Sequence, residues 1–250
     1  MERLIGAECR VDRLQFSAVL GYAPCWPTGL LALRYFANGF RSAKLKLGPD
    51  AGRNCANLLA LTPFPRVRVD ANNHWADAAS AYRGLVGFHD RIDAIEEPVA
   101  PGDLAAAFRL SEALERPIIL DESLYSRRQL DALSVCPERW IVNLRVSKLG
   151  GLIRALEVAG AAQAAGIEVI VGAQIGETSV LTRAALALHA GLDQPAVEQE
   201  GAFGTRLLGT DLVDRPLMFA DGGWIDTAKL PELQRPGLGL AVRADRLEPS

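Results

Sequence analysis

The sequence predicts an α/β protein built as a (β/α)8 barrel of the TIM type, and three observations support this fold class. Short apolar runs alternate with helical stretches rich in Ala, Leu and Arg. Eight such runs begin between residues 15 and 196, which gives about 26 residues for each strand and its helix. The loop after the first run, GYAPCWPTG, lacks a GxGxxG phosphate-binding pattern, so a doubly wound open sheet is the less favoured alternative.

The predicted strands are near-continuous apolar runs, as expected for strands that are covered on both faces. They are Gln15–Leu20, Ala43–Leu47, Arg66–Asp70, Ala94–Glu96, Pro117–Leu120, Trp140–Leu144, Glu168–Val171 and Ala196–Glu198. The clearest predicted helices are Leu152–Ala165 and Thr178–Gly191, in which apolar residues recur at helical spacing. The tail is rich in Gly and Pro and predicts loops, a turn and a short terminal strand.

This pattern predicts three parts of unequal size. Residues 1–13 are expected to be a leader or the remnant of a preceding domain. Residues 14–200 are expected to form the catalytic barrel. Residues 201–250 are expected to form a loop-rich C-terminal segment that packs on the barrel.

Composition excludes several classes of protein. The chain has 250 residues, of which 49% are hydrophobic and 23% charged, which is typical of a globular protein and not of a disordered one. The net charge of −3 gives no basic excess for nucleic acid, and no apolar run is long enough to span a membrane. Cys9, Cys25, Cys55 and Cys136 form no CxxC pair, which favours reduced thiols in a cytoplasmic protein over a zinc site.

Charged side chains end successive predicted strands, and barrel enzymes build their sites at these C-terminal ends. Lys46, Asp70, Glu96, Asp121 and Arg145 follow one another at intervals of about 25 residues, one barrel unit each. Three converging carboxylates repel one another unless a cation neutralises them, and oxygen ligands suit Mg²⁺, with Mn²⁺ as a substitute. Each carboxylate taken alone has a second interpretation, as the cap of the following helix.

Two lysines on the second predicted strand indicate a base. Lys44 and Lys46 are two residues apart, so their side chains point to the same face, the barrel interior. Like charge nearby lowers the pKa of a lysine and makes it a usable base. The alternative is a pair of surface lysines at a strand edge. Glu97 follows Glu96 directly and is expected to face away from it.

The segments KLKLG, RVDANNHW, IEEP, LDES and NLRVSKLGG together resemble the enolase superfamily, in the branch of muconate lactonising enzyme and mandelate racemase. The resemblance extends over roughly Leu14 to Leu247, and PGLGLAVRADRL is similar to the C-terminal strand of that family. It implies a magnesium-dependent lyase or isomerase that removes the proton alpha to the carboxylate of a small substrate through an enediolate. By this resemblance Asp70, Glu96 and Asp121 hold the metal, Lys46 is the base and Lys44 tunes it.

The strand-six segment departs from the family pattern, which usually reads NxKxxxxGG. Alignment on Asn143 and the glycine pair places Arg145 where the family has its second lysine, and Lys148 falls three residues later. Arginine stays protonated and is a poor base. One-base chemistry is therefore favoured over racemisation: dehydration, cycloisomerisation or an elimination of the o-succinylbenzoate synthase type. A slipped register that brings Lys148 to the catalytic position stays open.

Four further residues are candidates for substrate contact or for support of the metal ligands. Asn72 and Asn143 either donate hydrogen bonds to the metal ligands or shape turns. Glu122 is expected to reach the site through its loop. Glu177 either contacts substrate, orients Lys44, or is a first-turn acid of a helix. His74 is expected to be a loop residue.

The family also carries an N-terminal capping domain that closes over the barrel and selects the substrate. Here the first predicted strand follows Met1 closely, so we expect a barrel that is a fragment, a truncated product, or a barrel completed by a separate capping chain. The alternative function is a degenerate barrel that binds a metal or a partner without turnover. Without a capping domain, apolar side chains such as Phe16, Trp26 and Phe36 are expected to be exposed at the rim of the barrel, which predicts aggregation or homo-oligomers.

Overall fold

Eight parallel strands form one curled sheet in the computed structural model, which describes residues 12–247. In chain order the strands are β1 (Arg13–Gln15), β2 (Ala18–Leu20), β3 (Ser42–Lys46), β4 (Arg66–Asp70), β5 (Ala94–Glu96), β6 (Ile118–Leu120), β7 (Trp140–Leu144), β8 (Glu168–Val171), β9 (Glu198–Gln199) and β10 (Trp224–Asp226). Strands β2 to β9 pair in chain order. The amide of Ser17 donates to the carbonyl of Gln199 at 2.9 Å, which joins the two ends of the sheet. The predicted α/β architecture with a parallel sheet of eight strands is confirmed.

Six α-helices lie outside this sheet in the described part of the chain. They are α1 (Cys25–Ala37), α2 (Ala51–Ala60), α3 (Ala78–Leu85), α4 (Leu104–Leu114), α5 (Leu152–Ala164) and α6 (Ser179–Ala190). Asp50, Asp77 and Asp103 cap the starts of α2, α3 and α4, each accepting a hydrogen bond from the amide three residues later. Gly150 and Gly151 precede α5 with φ of 81° and 117°, a backbone region that favours glycine.

The expectation of a helix between every pair of strands is wrong for the β6–β7 connection. That segment forms two short 3₁₀ helices, Arg127–Ala132 and Pro137–Arg139. The Oε1 of Gln129 accepts hydrogen bonds from the backbone amides of Tyr125 and Ser126 and so caps the start of the first of these 3₁₀ helices. Proline at 137 has no amide hydrogen to continue a helix.

Two strand predictions need correction. The predicted strand Gln15–Leu20 is two strands, because β1 pairs antiparallel with β10 whereas β2 joins the barrel sheet. The predicted terminal strand in residues 236–247 is a single bridge between Val213 and Val242. Gly237 and Gly239 interrupt that segment with φ of 65° and 72°, values outside the strand region.

The tail contacts the barrel through aromatic side chains. The ring of Phe219 packs edge-on against Phe40 of the barrel with centroids 5.4 Å apart, and against Phe203 of the tail itself at 5.0 Å. Phe16 lies 6.4 Å from the same ring and is 2% exposed, so the expectation that Phe16 is exposed at the rim is wrong. Most of the predicted leader, and Cys9 with it, lies outside the described residues, whereas Cys25, Cys55 and Cys136 are free thiols. Within residues 12–247 no helix is both long and apolar enough to cross a membrane.

His189, near the end of α6, makes the stability of the fold sensitive to acid. Its side chain is buried, its Nε2 has no hydrogen-bond partner among residues 12–247, and burial lowers its pKa from 6.5 to about 4. Because the pKa of His189 is lower in the folded chain than in the unfolded chain, the neutral histidine contributes its full stabilisation above pH 6.5. This contribution is lost as the pH falls from 6.5 toward 4, since the unfolded chain takes up the proton first. The shift corresponds to roughly 3 kcal/mol of unfolding free energy.

His189→Leu removes this titrating group. We expect the variant to lose less unfolding free energy than the parent between pH 6.5 and pH 4, measured by urea denaturation at several pH values. His74→Leu, in an exposed loop, is the matched control and keeps the acid sensitivity of the parent. Equal pH slopes for the parent and His189→Leu contradict the assignment.

Candidate active site

The charged strand-end residues of β3, β4 and β5 stand side by side. In the strand register Lys46 is paired with Asp70, and Asp70 with Glu96. Their side chains therefore meet at the C-terminal ends of the strands, here called the mouth of the barrel. Asp121 follows β6 directly, and Arg145 follows β7.

Lys44 lies below the mouth, inside the barrel, and is surrounded by carboxylates. Its Nζ is 2.8 Å from Glu200, 3.0 Å from Glu96 and 3.6 Å from Asp70. Burial by itself lowers the pKa of this lysine, but the three carboxylates outweigh burial and raise the pKa above its usual value. The expected lowering of the Lys44 pKa is therefore wrong, and this ammonium is a fixed positive charge.

Arg68 and Glu200 belong to the same buried network and were not singled out from the sequence. Arg68 donates from Nη1 to Glu200 at 2.8 Å and from Nη2 to the hydroxyl of Ser17 at 2.8 Å. The two cations Lys44 and Arg68 hold the pKa of Glu200 low despite burial. Arg68 could have been found from strand alternation, because it lies two residues before Asp70 and its side chain therefore points to the same face of β4.

Lys46 reaches the open end of the barrel. Its Nζ lies 3.1 Å from Asp70 and 3.0 Å from Oδ1 of Asn72, and its side chain is 27% exposed against 7% for Lys44. Asn72 and Asn73 turn the chain after β4 with φ of 45° and 56°, which asparagine tolerates better than most residues. The amide of Asn72 also donates to Asp70 at 3.0 Å, so this residue supports both members of the pair.

Arg145 binds Asp121 with two donors. Nε donates to Oδ1 of Asp121 at 2.7 Å, and Nη2 contacts its other carboxylate oxygen. The same guanidinium also reaches Glu122 at 3.1 Å and Oε1 of Gln174 at 2.8 Å. This fork fixes the carboxylate of Asp121 and places a permanent positive charge at the mouth.

The ammonium group of Lys148 donates hydrogen bonds to both backbone and side-chain oxygens. Its Nζ donates to Oδ1 of Asp121 at 2.8 Å, to the carbonyl of Asp121 at 2.7 Å and to the carbonyl of Asn143 at 2.9 Å. Burial, and then the charge of Arg145, lower the pKa of Lys148 to about 7. Three acceptors use all three N–H donors of the ammonium, so Lys148 joins the end of β6 to the end of β7.

Glu97 faces away from Glu96, as expected, and has a role that the sequence pattern does not reveal. Its carboxylate accepts hydrogen bonds from the amides of Asp121 and Ser123 at 2.6 and 2.8 Å, and from the side chains of Ser123 and Asn73. Glu97 has φ of 40°, an uncommon value for a non-glycine residue. These bonds hold the backbone that carries Asp121 against the end of β5.

Asn143 supports Glu96 from β7, two strands away in the sheet. Its Nδ2 donates to Oε1 of Glu96 at 3.3 Å. Its Oδ1 lies over the backbone of Gly172, where a Cβ would come within 2.0 Å of that oxygen. Position 172 therefore has to be glycine for Asn143 to keep this orientation. Burial, together with Glu200 and Asp70, raises the pKa of Glu96.

The remaining candidate, Glu177, and His74, which was expected to be a loop residue, both lie in loops. Glu177 does not contact Lys44: its Oε1 accepts the amide of Gln174 at 2.7 Å, and α6 begins only at Ser179. Glu177 therefore shapes the loop that carries Gln174 toward Arg145. His74 lies in a loop against the ring of Trp75.

The donor set fits a hard divalent cation in its chemistry, since Asp70, Glu96 and Asp121 supply carboxylate oxygens from successive strand ends. In the structure the side chains of these three carboxylates do not converge on a single position, as the sequence pattern had predicted they would. Across residues 12–247 no group of three or more His, Cys, Asp and Glu side chains is placed to hold a metal ion. Each of the three carboxylates is instead paired with a cation: Lys44 and Lys46 contact Asp70, Lys44 contacts Glu96, and Arg145 contacts Asp121.

Known proteins share this architecture and parts of this sequence. N-succinyl-L-Arg/Lys racemase of Bacillus cereus is 28% identical over 218 residues, which cover 84% of this chain and 55% of the racemase. L-Lys-D/L-Arg epimerase of Methylococcus capsulatus is 33% identical over 235 residues, covering 92% of this chain and 63% of the epimerase. The crystal structure of muconate lactonizing enzyme from Klebsiella pneumoniae superimposes with a TM-score of 0.84 at 32% identity, over 98% of this chain and 67% of that one.

These relatives are longer than this chain, which spans 55% and 63% of the length of the racemase and the epimerase. The family model described as enolase C-terminal domain-like matches residues 30–246. That match covers most of the chain and all the strand-end residues described above. The chain belongs to the enolase superfamily, in the branch of muconate lactonising enzyme and mandelate racemase.

Proposed function

We propose that this chain is an enzyme that removes the proton alpha to the carboxylate of a small substrate, with Lys46 as the base. The observation that carries the proposal is the contrast between the two lysines of β3. Lys44 is buried against three carboxylates, whereas Lys46 lies at the open mouth and contacts just Asp70 and Asn72 among residues 12–247. A base must reach the proton that it abstracts, and Lys46 has that access.

Positive charge is arranged around the position that the substrate would occupy. Lys44 lies below it, and the guanidinium of Arg145 lies across the mouth. Loss of a proton leaves negative charge on an enediolate, and preorganised cations lower the barrier to that step. Lys44 and Arg145 are already held by carboxylates, so they need little reorientation during the reaction.

The same geometry supports one-base chemistry. On the side of the mouth opposite Lys46, Arg145 stays protonated. Lys148 has the lowered pKa of a base, but its side chain is only 6% exposed and its amine is directed at Asp121 and at the carbonyl of Asn143 rather than at the open mouth. A racemase needs a base on each face of the substrate. We therefore favour cycloisomerisation, dehydration or an elimination of the o-succinylbenzoate synthase type over the racemase and epimerase reactions for which two of the relatives are named.

A divalent cation, Mg²⁺ or in its place Mn²⁺, completes the proposed site. Asp70, Glu96 and Asp121 would hold it, and Asn143 would orient Glu96 through its amide. When bound, the cation supplies positive charge next to the substrate carboxylate.

A second candidate function is a barrel that binds a metal ion or a partner without turnover. The two-donor contact of Arg145 with Asp121 favours it, because this contact competes with a metal for that carboxylate. One measurement distinguishes the two candidate functions. The enzyme exchanges the alpha proton of a carboxylate with solvent, and the degenerate barrel does not.

Metal binding is tested by titration of the chain with Mn²⁺, with free metal followed by electron paramagnetic resonance. We expect one site per chain, and we expect Asp121→Asn to weaken it at least about tenfold, because one carboxylate ligand is lost. Asp131→Asn is the matched control, since it makes the same change in an exposed acid outside the mouth.

Equal Mn²⁺ binding by the parent and by Asp121→Asn contradicts the proposed ligand set. Absence of binding in a folded parent sample contradicts the metal proposal as a whole. When a site is present, the next step is a screen of carboxylates for deuterium incorporation from ²H₂O. N-succinyl amino acids and muconate-derived acids are the first to test, given the names of the relatives.

A further inference from the structure

A cavity of about 210 Å³, here called the lower cavity, opens at the N-terminal ends of β4 and β5, on the face of the barrel opposite to the mouth. Four apolar side chains that are each at most 6% exposed form its floor: Leu58, Leu61, Phe64 and Val67. Pro63 and Pro65 follow the end of α2, and neither has an amide hydrogen to continue a helix. Helix α2 therefore ends at the lower cavity and does not extend across it.

The rim of the lower cavity carries a cation and an anion that do not pair with each other. These are Arg91 and Asp93. The Nη1 of Arg91 donates to the hydroxyl of Thr62 at 2.9 Å, and Oδ2 of Asp93 accepts the amide of Val67 at 2.6 Å. Within residues 12–247 neither charged group forms an ion pair, so the other N–H donors of Arg91 and Oδ1 of Asp93 are available to a ligand.

We propose that the lower cavity binds a free α-amino acid with an apolar side chain. The carboxylate of this ligand meets the guanidinium of Arg91, and its ammonium meets Asp93, so both contacts are charge-assisted hydrogen bonds. Its side chain covers the apolar floor and is removed from water. The third charged group of the rim, Asp90, is 3.2 Å from His89 and 4.0 Å from Arg116, and these contacts leave one positive and one negative charge for the ligand.

The volume of the lower cavity sets the size of the ligand. A cavity of about 150 Å³ holds a benzene molecule, whereas sites for drug-sized ligands begin at about 300 Å³. The 210 Å³ found here therefore suits a side chain such as that of leucine. Glycine leaves the floor uncovered. A ligand as small as leucine, held by two charge-assisted contacts, is expected to have a dissociation constant of roughly 1 mM.

The lower cavity and the proposed active site lie at opposite ends of the same strands. Val67 belongs to the floor of the cavity, and Asp70 lies three residues further along β4, at the mouth. Three residues of a strand span about 10 Å, so a ligand in the lower cavity does not occupy the position of the substrate. The inference is therefore independent of the reaction that the mouth performs.

Titration of the full chain, labelled with ¹³C at the methyl groups of leucine and valine, with unlabelled L-leucine tests the proposal by NMR. We expect saturable shifts of the methyl signals of Leu58, Leu61 and Val67, with half-saturation at roughly 1 mM. The methyl signals of Leu144, at the mouth end of β7, should stay in place. Glycine lacks the side chain and isocaproate lacks the amine, so each should bind at least about tenfold more weakly than L-leucine.

Two variants remove the charges of the rim one at a time. Arg91→Gln and Asp93→Asn both keep a side chain that can form hydrogen bonds, and each should weaken the binding of L-leucine at least about tenfold. Arg109→Gln and Asp131→Asn are the matched controls, because they make the same changes in exposed residues outside the lower cavity. Thermal melts of all four variants separate a folding defect from a loss of binding.

Three results overturn the proposal. The first is a parent chain without saturable shifts up to about 20 mM L-leucine, well above the expected dissociation constant. The second is unchanged binding of L-leucine by folded Arg91→Gln and Asp93→Asn. The third is a shift of the Leu144 signals without a shift of the Leu58 signals, because the ligand then lies at the mouth.

Discussion

Replacing Lys46 with methionine is expected to lower the rate of alpha-proton exchange with solvent by about 10²–10⁴-fold, the usual contribution of a general base. Methionine keeps the length of the side chain and removes its amine. Asp70 and Asn72 lose one hydrogen-bond partner, but both keep the bond between the Asn72 amide and the Asp70 carboxylate. The measurement is deuterium incorporation, followed by proton NMR, into any carboxylate that the parent chain exchanges.

Lys229→Met is the control for this prediction. Lys229 is exposed in the tail, where it pairs with Asp226, and it has no contact with the mouth. Its replacement should leave the exchange rate unchanged. A Lys46→Met chain that exchanges as fast as the parent removes Lys46 as the base. If Lys148→Met then abolishes exchange instead, the slipped register is the correct one.

Replacing Arg68 with leucine is expected to lower the free energy of unfolding by about 3–5 kcal/mol, as found when one partner of a buried ion pair is removed. The guanidinium is buried and donates to Glu200 and to Ser17. Without it the buried carboxylate of Glu200 retains Lys44 as its one cationic partner among residues 12–247. Urea denaturation measures the loss.

The same strand provides the matched control. Arg66 lies two residues earlier, is exposed, and pairs with Glu198 at 3.1 Å. Arg66→Leu should cost less unfolding free energy than Arg68→Leu, because the guanidinium of Arg66 is 57% exposed and water can take over part of its pairing with the buried Glu198. A second test is partial rescue of Arg68→Leu by Glu200→Gln, which removes the uncompensated charge. Equal effects of the two arginine replacements contradict the assigned role of the buried network.

The strands could be predicted from the sequence because each is a short apolar run, and burial on both faces leaves a continuous signal. Ala94–Glu96, Trp140–Leu144 and Glu168–Val171 have the predicted bounds. The split at Phe16 could not be predicted, since it depends on the amide of Phe16 donating to Gly223, more than 200 residues away. Local patterns contain no information about such a distant partner.

The strand-end residues could be placed by counting, because a regular repeat puts equivalent positions at equivalent heights. The partners of those residues could not. Glu200 lies one residue beyond β9, and its pairing with Lys44 depends on closure of the sheet. The sequence showed Arg145 in place of a lysine, but the structure is needed to show that its guanidinium contacts both carboxylate oxygens of Asp121.

Closure of the sheet joins Ser17 to Gln199, two residues separated by most of the chain. During synthesis β2 leaves the ribosome early. Its final neighbour, β9, leaves only after β3 to β8 have been synthesised. We therefore expect the nascent chain to hold an open sheet with two unpaired edges, a state that is prone to join with other chains. Contacts of such long range also slow folding. Chaperone dependence during expression is the expected consequence of where this barrel closes.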